Sequence, residues 1–233
     1  MKSLLSVCFV TLTLIVVAAR NVVPTTAQTM RQGVSVQLAI TNNAAPMPDA
    51  DNEDAWIVTV TNSGGLYFGV QPVTLDNLAK EMKESPRKRE QKLYVKADAR
   101  APFANVKNVL DVGRESLFAE AVLLTAQQDS SQPGTLVPPR GLEVRIGSAL
   151  PAGMVATVVQ LLNSGQQRPM LKINGDEISW SALQSTLSRH FQKGDDKVVL
   201  LKADLRLSFA DVAQAVDTCR STGAKVAVMT QGL

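Results

Sequence analysis

The feature that most constrains this chain is an internal repeat. Residues 92–127 read KLYVKADARAPFANVKNVLDVGRESLFAEAVLLTAQ, and residues 197–232 read KVVLLKADLRLSFADVAQAVDTCRSTGAKVAVMTQG. Without a gap, 96–111 and 202–217 are identical at eight of sixteen positions: Lys96/Lys202, Ala97/Ala203, Asp98/Asp204, Arg100/Arg206, Phe103/Phe209, Ala104/Ala210, Val106/Val212 and Asp111/Asp217. At 233 residues the chain has room for two domains of ordinary size, each a copy of one supersecondary unit.

Each copy alternates strand and helix patterns. Residues 57–61 alternate apolar and polar side chains, and 93–96 and 121–125 are short apolar or β-branched runs. Their counterparts are 158–162, 198–202 and 226–230, and residues 34–38 and 142–146 are expected to add a leading strand to each copy. A short strand is expected in 68–73 and in its counterpart 173–178. Leu75, Leu78 and Met82, like Trp180, Leu183 and Leu187, then fall on one face of a helix, with Thr74 and Ser179 placed to cap it. A second helix carries Phe103, Val106, Val109 and Leu110 in the first copy and Phe209, Val212, Ala213 and Val216 in the second. Pro102 suits the first turn of one, and Ser208 with Asp211 resembles a capping box for the other. The fold class expected is α+β, with a mixed sheet and two helices on one face in each copy, after an N-terminal apolar helix.

The stretch between the copies is polar and rich in Pro and Gly (Pro133, Gly134, Pro138, Pro139) and reads as a linker. The expected boundaries are 1–27 for a membrane anchor or signal peptide, 28–127 and 141–233 for the two domains, and 128–140 for the linker. Residues 42–54 read as a long loop inside the first copy.

Lys2 precedes an uncharged stretch, SLLSVCFVTLTLIVVAA, that ends at Arg20. A cleavable signal peptide fits the basic start and the small residues around Ala27. A membrane anchor fits a length at the lower limit for a spanning helix, extended past Arg20 by Val22 and Val23. We prefer the anchor, partly on the resemblance described below; both readings place the repeats outside the cytoplasm. No Asp, Glu, Lys, Arg or His lies between Ser3 and Ala19, whereas an ion pathway through a bilayer ordinarily needs such a group.

Composition narrows the chemistry. A charge of +3, from 24 basic and 21 acidic residues, gives no basic field suited to nucleic acid. Aromatics are only 4%, so the cores must be built from Val, Leu, Ile and Ala. Cys8 and Cys219 make no disulfide framework, and Cys219 reads as a buried small apolar residue. His190 has no second metal-ligand residue at a suitable spacing, no nucleophile–base arrangement is present, and no glycine-rich phosphate loop occurs. We expect no enzyme, no cofactor and no metal.

The order of motifs resembles the ExbD/TolR family of biopolymer transport proteins. The marks are Val34-Ser35-Val36-Gln37-Leu38, Gly69-Val70-Gln71-Pro72-Val73, Lys96-Ala97-Asp98 and Leu110-Asp111 in the first copy. In the second they are Gly175-Asp176-Glu177-Ile178, Lys202-Ala203-Asp204 and Val216-Asp217. The resemblance implies an inner-membrane subunit with its domains in the periplasm, working with an ExbB/TolQ-like membrane protein. It further implies a TonB/TolA-like protein or peptidoglycan as additional partners, and domains that dimerise. Two departures stand out. The apolar segment lacks the Asp that carries protons in the family, and we expect no short cytoplasmic leader before it. The duplication leads to a further expectation, an intramolecular pseudo-dimer in place of the homodimer. The function expected is an accessory subunit of a proton-motive-force-driven complex, with a scaffold or peptidoglycan-binding protein without proton coupling as the alternative.

The candidate interaction residues are Lys96, Asp98 and Arg100 with their counterparts Lys202, Asp204 and Arg206. Each Asp stands between a strand and a helix, two residues before an Arg. That spacing suits either an exposed ion-pair site or an Asp that organises the strand-to-helix turn, and we prefer the second. The densest charge run, 83–92, suits an anionic surface or, as we prefer, a solvated helix end.

Overall fold

The computed structural model of the chain describes residues 33–84, 91–127, 139–147, 156–192 and 197–229. The apolar stretch 3–19, most of the linker and most of the charge run therefore lie outside the described residues. Among those described, no helix is long and apolar enough to cross a membrane.

The first copy contributes β1 (Ala45–Pro46), β2 (Trp56–Val60), β3 (Leu66–Phe68), β4 (Gln71–Val73), α1 (Leu75–Glu84), β5 (Leu93–Ala97), α2 (Phe103–Glu115) and β6 (Glu120–Thr125). The second contributes β7 (Arg140–Gly147), β8 (Thr157–Leu162), β9 (Met170–Ile173), β10 (Asp176–Ile178), α3 (Leu183–Phe191), β11 (Val198–Ala203), α4 (Phe209–Ser221) and β12 (Lys225–Met229). All twelve strands belong to one mixed sheet, ordered β10-β9-β8-β11-β12-β7-β6-β5-β2-β3-β4, with β1 beside β7. Read inwards from either end, the order is the same: a hairpin, then three parallel strands. The copies are halves of one sheet.

The helices share one face of that sheet, and alternation along each strand decides what points at them. Val58, Val95, Leu123, Leu142, Val199, Leu201 and Val228 are buried in a single apolar cluster with Phe103, Val106, Phe209 and Val212 of the helices. Each fully buried side chain of this size contributes about 1.5–3 kcal/mol. On the opposite face of the first half, Ile57, Tyr94, Val122 and Leu124 pack against Met47 and Ala50. Those two come from the long loop between residues 42 and 54, which carries β1 and a 3-10 turn (Pro48–Asp51) and so forms a lid on the sheet.

Several local expectations need correction. Residues 34–38 form no strand; only an isolated bridge joins Ile40 to Ala126. The physical reason is competition for one edge. β7 pairs antiparallel along the whole length of β6, from Glu120↔Arg145 to Thr125↔Arg140, and only one strand can occupy that edge. The short strand expected before each first helix is the second strand of a hairpin, turning at Gly69 in one copy and at Asn174-Gly175 in the other. Thr74 caps α1 as expected, accepting from the Asn77 N–H at 3.2 Å. Ser179 makes no such bond, because a 3-10 turn (Trp180–Ala182) intervenes and α3 starts only at Leu183. Ser208 accepts from the Asp211 N–H at 3.2 Å, but the Asp211 carboxylate reaches only the Ser208 hydroxyl, at 2.6 Å. Pro102 stands at the cap position, one residue before α2 begins.

Gly141 lies where β6, β7 and β1 meet. A Cβ there would stand 2.3 Å from Val122 Cγ1 and 3.2 Å from the Leu123 carbonyl oxygen. Since β-branched Val122 cannot swing away and Leu123 O is backbone, Gly141→Ala should destabilise the protein by about 1–3 kcal/mol. Urea unfolding checks this, and the loss should appear in one transition covering both halves.

Candidate functional site

The two Asp-x-Arg turns have the same construction. β5 and β11 each end on a backbone bond that carries the chain into the turn: Asp98 N–H to Val60 O at 2.8 Å, and Asp204 N–H to Leu161 O at 2.9 Å. Asp98 Oδ1 then accepts from the Arg100 backbone N–H at 3.0 Å and from Arg100 Nε at 2.9 Å, while Oδ2 accepts from the Arg100 terminal nitrogen at 3.0 Å. Asp204 repeats the pattern with Arg206 at 2.9, 3.1 and 2.8 Å. Each carboxylate is engaged by its own turn through three bonds from the arginine, the Asx-type geometry. Each guanidinium is held in place yet still meets solvent, with side-chain exposures of 62% for Arg100 and 74% for Arg206.

What the sequence did not reveal is that the two turns bind one another. The first N–H groups of any helix have no partner inside that helix. Here each helix finds its partners on the other copy. Phe103 N–H donates to Leu207 O at 2.8 Å and Ala104 N–H to Leu205 O at 3.0 Å. In return Phe209 N–H donates to Ala101 O at 2.8 Å and Ala210 N–H to Ala99 O at 2.9 Å. Pro102 and Ser208 face each other as an antiparallel bridge at the centre. Four backbone bonds therefore tie the segments 99–104 and 205–210, with buried Phe103 and Phe209 beneath.

Lys96 and Lys202 are not part of this arrangement. Alternation places both on the sheet face away from the helices. Lys96 is buried, with its Cδ 3.5 Å from where a Cβ on Gly33 would stand, and burial pushes its ammonium below the usual lysine range against the opposing pull of Asp51. Lys202 is half-buried on the corresponding strand. The six candidates thus divide into two bound Asp–Arg pairs in contact through backbone and two lysines on the other face.

Asp217 is a second cross-copy anchor. It is buried on α4 and accepts from Asn42 N–H at 3.0 Å, Asn43 N–H at 2.8 Å and Asn43 Nδ2 at 3.1 Å, all from the first copy. Its equivalent Asp111 instead accepts from Lys107 Nζ at 2.7 Å on its own helix. The Asp111/Asp217 identity was the available signal, but nothing in it distinguishes the two uses. Lys92 of the first copy and Glu143 of the second form an ion pair that raises the Lys92 pKa.

Beside the first turn runs an open groove of about 350 Å³, lined by Ser35, Val36, Gln37, Thr61, Asn62, Asp98 and Arg100. Gln37 is fixed in its wall, donating to Asp98 Oδ2 at 3.2 Å and accepting from the Ala99 N–H at 2.7 Å. The groove offers hydroxyl and amide groups and one guanidinium, a lining suited to polar ligands or an extended chain. Elsewhere, Cys219 is buried and desolvation pushes its thiol up to about 12, so it is a packing residue without a reactive thiolate.

The Arg206 guanidinium beside Asp204, with the Arg206 N–H, holds the carboxyl down at about 2 from an ordinary 3.8. Arg100 lowers Asp98 in the same direction. A carboxyl depressed in the folded state adds stability above its unfolded pKa and loses it as pH falls through the folded value. The difference in thermal midpoint between wild type and Asp204→Asn should therefore be fully present above about pH 4 and fade towards about pH 2. A series of melts across that window checks it.

Comparison with curated proteins gave no match. The family model described as biopolymer transport protein ExbD/TolR matches the chain twice, over residues 1–128 and again over 122–232. The two matches correspond to the two copies found by internal comparison and by the order of the sheet. The chain belongs to the ExbD/TolR family, as a tandem duplication of its domain.

Proposed function

We propose that this protein is an accessory subunit of a proton-motive-force-driven biopolymer transport complex. It acts from the periplasmic side of the inner membrane through the paired domains 28–127 and 141–233, held by the N-terminal segment. The observation that carries the reading is the double family match combined with the cross-capped turns. Together they support one chain that supplies, as an intramolecular pseudo-dimer, a pairing that two subunits would otherwise make. An ExbB/TolQ-like protein is the proposed membrane partner. The exposed faces of Arg100 and Arg206, rigid because their carboxylates are locked in the turn, are the proposed contact points on the paired domains, for a TonB/TolA-like protein or for peptidoglycan.

A second reading is favoured by one observation: residues 3–19 contain no Asp, Glu, Lys, Arg or His, the groups that ordinarily mark an ion pathway through a bilayer. On that reading the chain is a periplasmic scaffold or peptidoglycan-binding protein without a proton-coupling role. One preparation separates the two. The full chain extracted in detergent should retain its N-terminal segment by mass spectrometry and co-purify with a multi-span membrane protein. A mature N-terminus near Gln28 and no membrane partner would replace the first reading with the second.

A further inference from the structure

The loop that covers the sheet face away from the helices carries more acid than its surroundings neutralise. Asp49 and Asp54 lie on it, on either side of Asn52, and all three line one cleft of about 200 Å³. The platform is well tied. Asn52 N–H donates to Asp49 O at 3.2 Å and Ala55 N–H to Asn52 O at 3.1 Å, while Met47 and Ala50 pack on Ile57 and Tyr94 beneath. Gln91 closes the wall. Its Oε1 accepts from the Trp56 indole N–H at 3.1 Å, and its Nε2 donates to Asp54 Oδ2 at 3.2 Å. That donor is a neutral amide, so the charge of Asp54 is not cancelled. Among the described residues neither Asp49 nor Asp54 belongs to an ion pair. The cation in the lining, Lys92, is already engaged by Glu143.

A second, independent observation comes from the sheet. Tyr94 of β5 is 5% exposed and lines the same cleft. Among the described residues its hydroxyl has no hydrogen-bond partner, whereas a polar group buried to this extent is ordinarily bonded. Burial, and after it the charge of Asp49, raises the Tyr94 pKa, so the phenol is protonated and its oxygen is free to accept. Two uncompensated carboxylates and one unpartnered hydroxyl therefore line a single cleft.

The donor set says which cation suits it. Hard metal ions take six or more oxygens, and among the described residues no group of three or more His, Cys, Asp or Glu is placed to hold a metal. A guanidinium prefers to dock both oxygens of a carboxylate in one plane, and at Asp54 one oxygen is taken by Gln91. An ammonium has three N–H donors that need no common plane, which matches two carboxylates and a hydroxyl.

We propose that this cleft binds the ammonium group of a small aliphatic amine. Asp49 and Asp54 accept from it, and the Tyr94 oxygen is the third acceptor. The site is separate from the Asp-x-Arg turns and takes no part in joining the two copies.

A titration of the full, ¹⁵N-labelled chain in non-ionic detergent micelles with millimolar cadaverine tests it by NMR. The Trp56 indole N–H and the Gln91 side-chain amide should shift saturably, while the Trp180 indole N–H stays in place. Asp49→Asn should weaken binding by about tenfold or more, as the loss of a charged hydrogen-bond partner does, and Tyr94→Phe by about threefold or more. Tyr94→Phe should also keep or raise the thermal midpoint, since it removes a buried hydroxyl that has no partner, so misfolding cannot explain the loss. Asp176→Asn, at an exposed acid on the distant β9–β10 hairpin, should bind like wild type. A wild type without a saturable shift overturns the proposal, as does Tyr94→Phe binding as tightly as wild type. Magnesium producing the same shifts at the same concentration, or Asp176→Asn weakening binding as much as Asp49→Asn, would reduce the effect to general attraction of cations and overturns it too.

Discussion

The reciprocal capping of α2 and α4 is the interaction on which the rest depends. A helix that begins beneath a sheet must find partners for its first N–H groups, and water is poorly available there. Each copy solves this by offering the carbonyls of its own Asp-x-Arg turn to the other: Leu205 and Leu207 in one direction, Ala99 and Ala101 in the other. Those carbonyls point outward because Asp98 and Asp204 hold the turns closed through their arginines. The Asp–Arg pairs thus serve the join from one step away. Their charge keeps the turns rigid, and the rigid turns present the acceptors.

β7 carries out the same union within the sheet. It runs parallel to β12 of its own copy and antiparallel to β6 of the other, so one strand serves as the seam for both halves. The consequence falls on the first copy. Residues 34–38 have the alternation of a strand but no edge to join, and they run instead along the outside of the first turn, fixed at Gln37. The chain continues across the seam, pairs with β7 as β1, and gives Asn42 and Asn43 to Asp217 on α4. Similar sequences therefore do different work because the duplicated unit has two leading segments and one central position.

Much of this was legible in the residues. The repeat, the four helices and the principal strands follow from periodicity and self-comparison, since local pattern dictates them, and the family was suggested by the resemblance of the motif order. The Asp-turn reading of Asp98 and Asp204 was legible too, because the two-residue spacing to Arg100 and Arg206 suits that geometry. The join was not legible. It is made almost wholly by backbone groups, which every residue possesses, so no residue type at 99–104 or 205–210 announces it. The strand at 34–38 was overpredicted for a related reason: alternation reports that a segment can pair, and says nothing of whether an edge is free. Asp217 and Asp111 illustrate the limit most clearly, being identical in the repeat and different in partner.

The central claim is that the two copies fold as halves of one sheet. Inserting a protease site after residue 127 and cleaving the folded full chain tests it most directly. Native mass spectrometry of the product should show the two fragments still together at one to one, held by β6–β7 and by the crossed caps. Fragments that separate into two independently folded domains would contradict it.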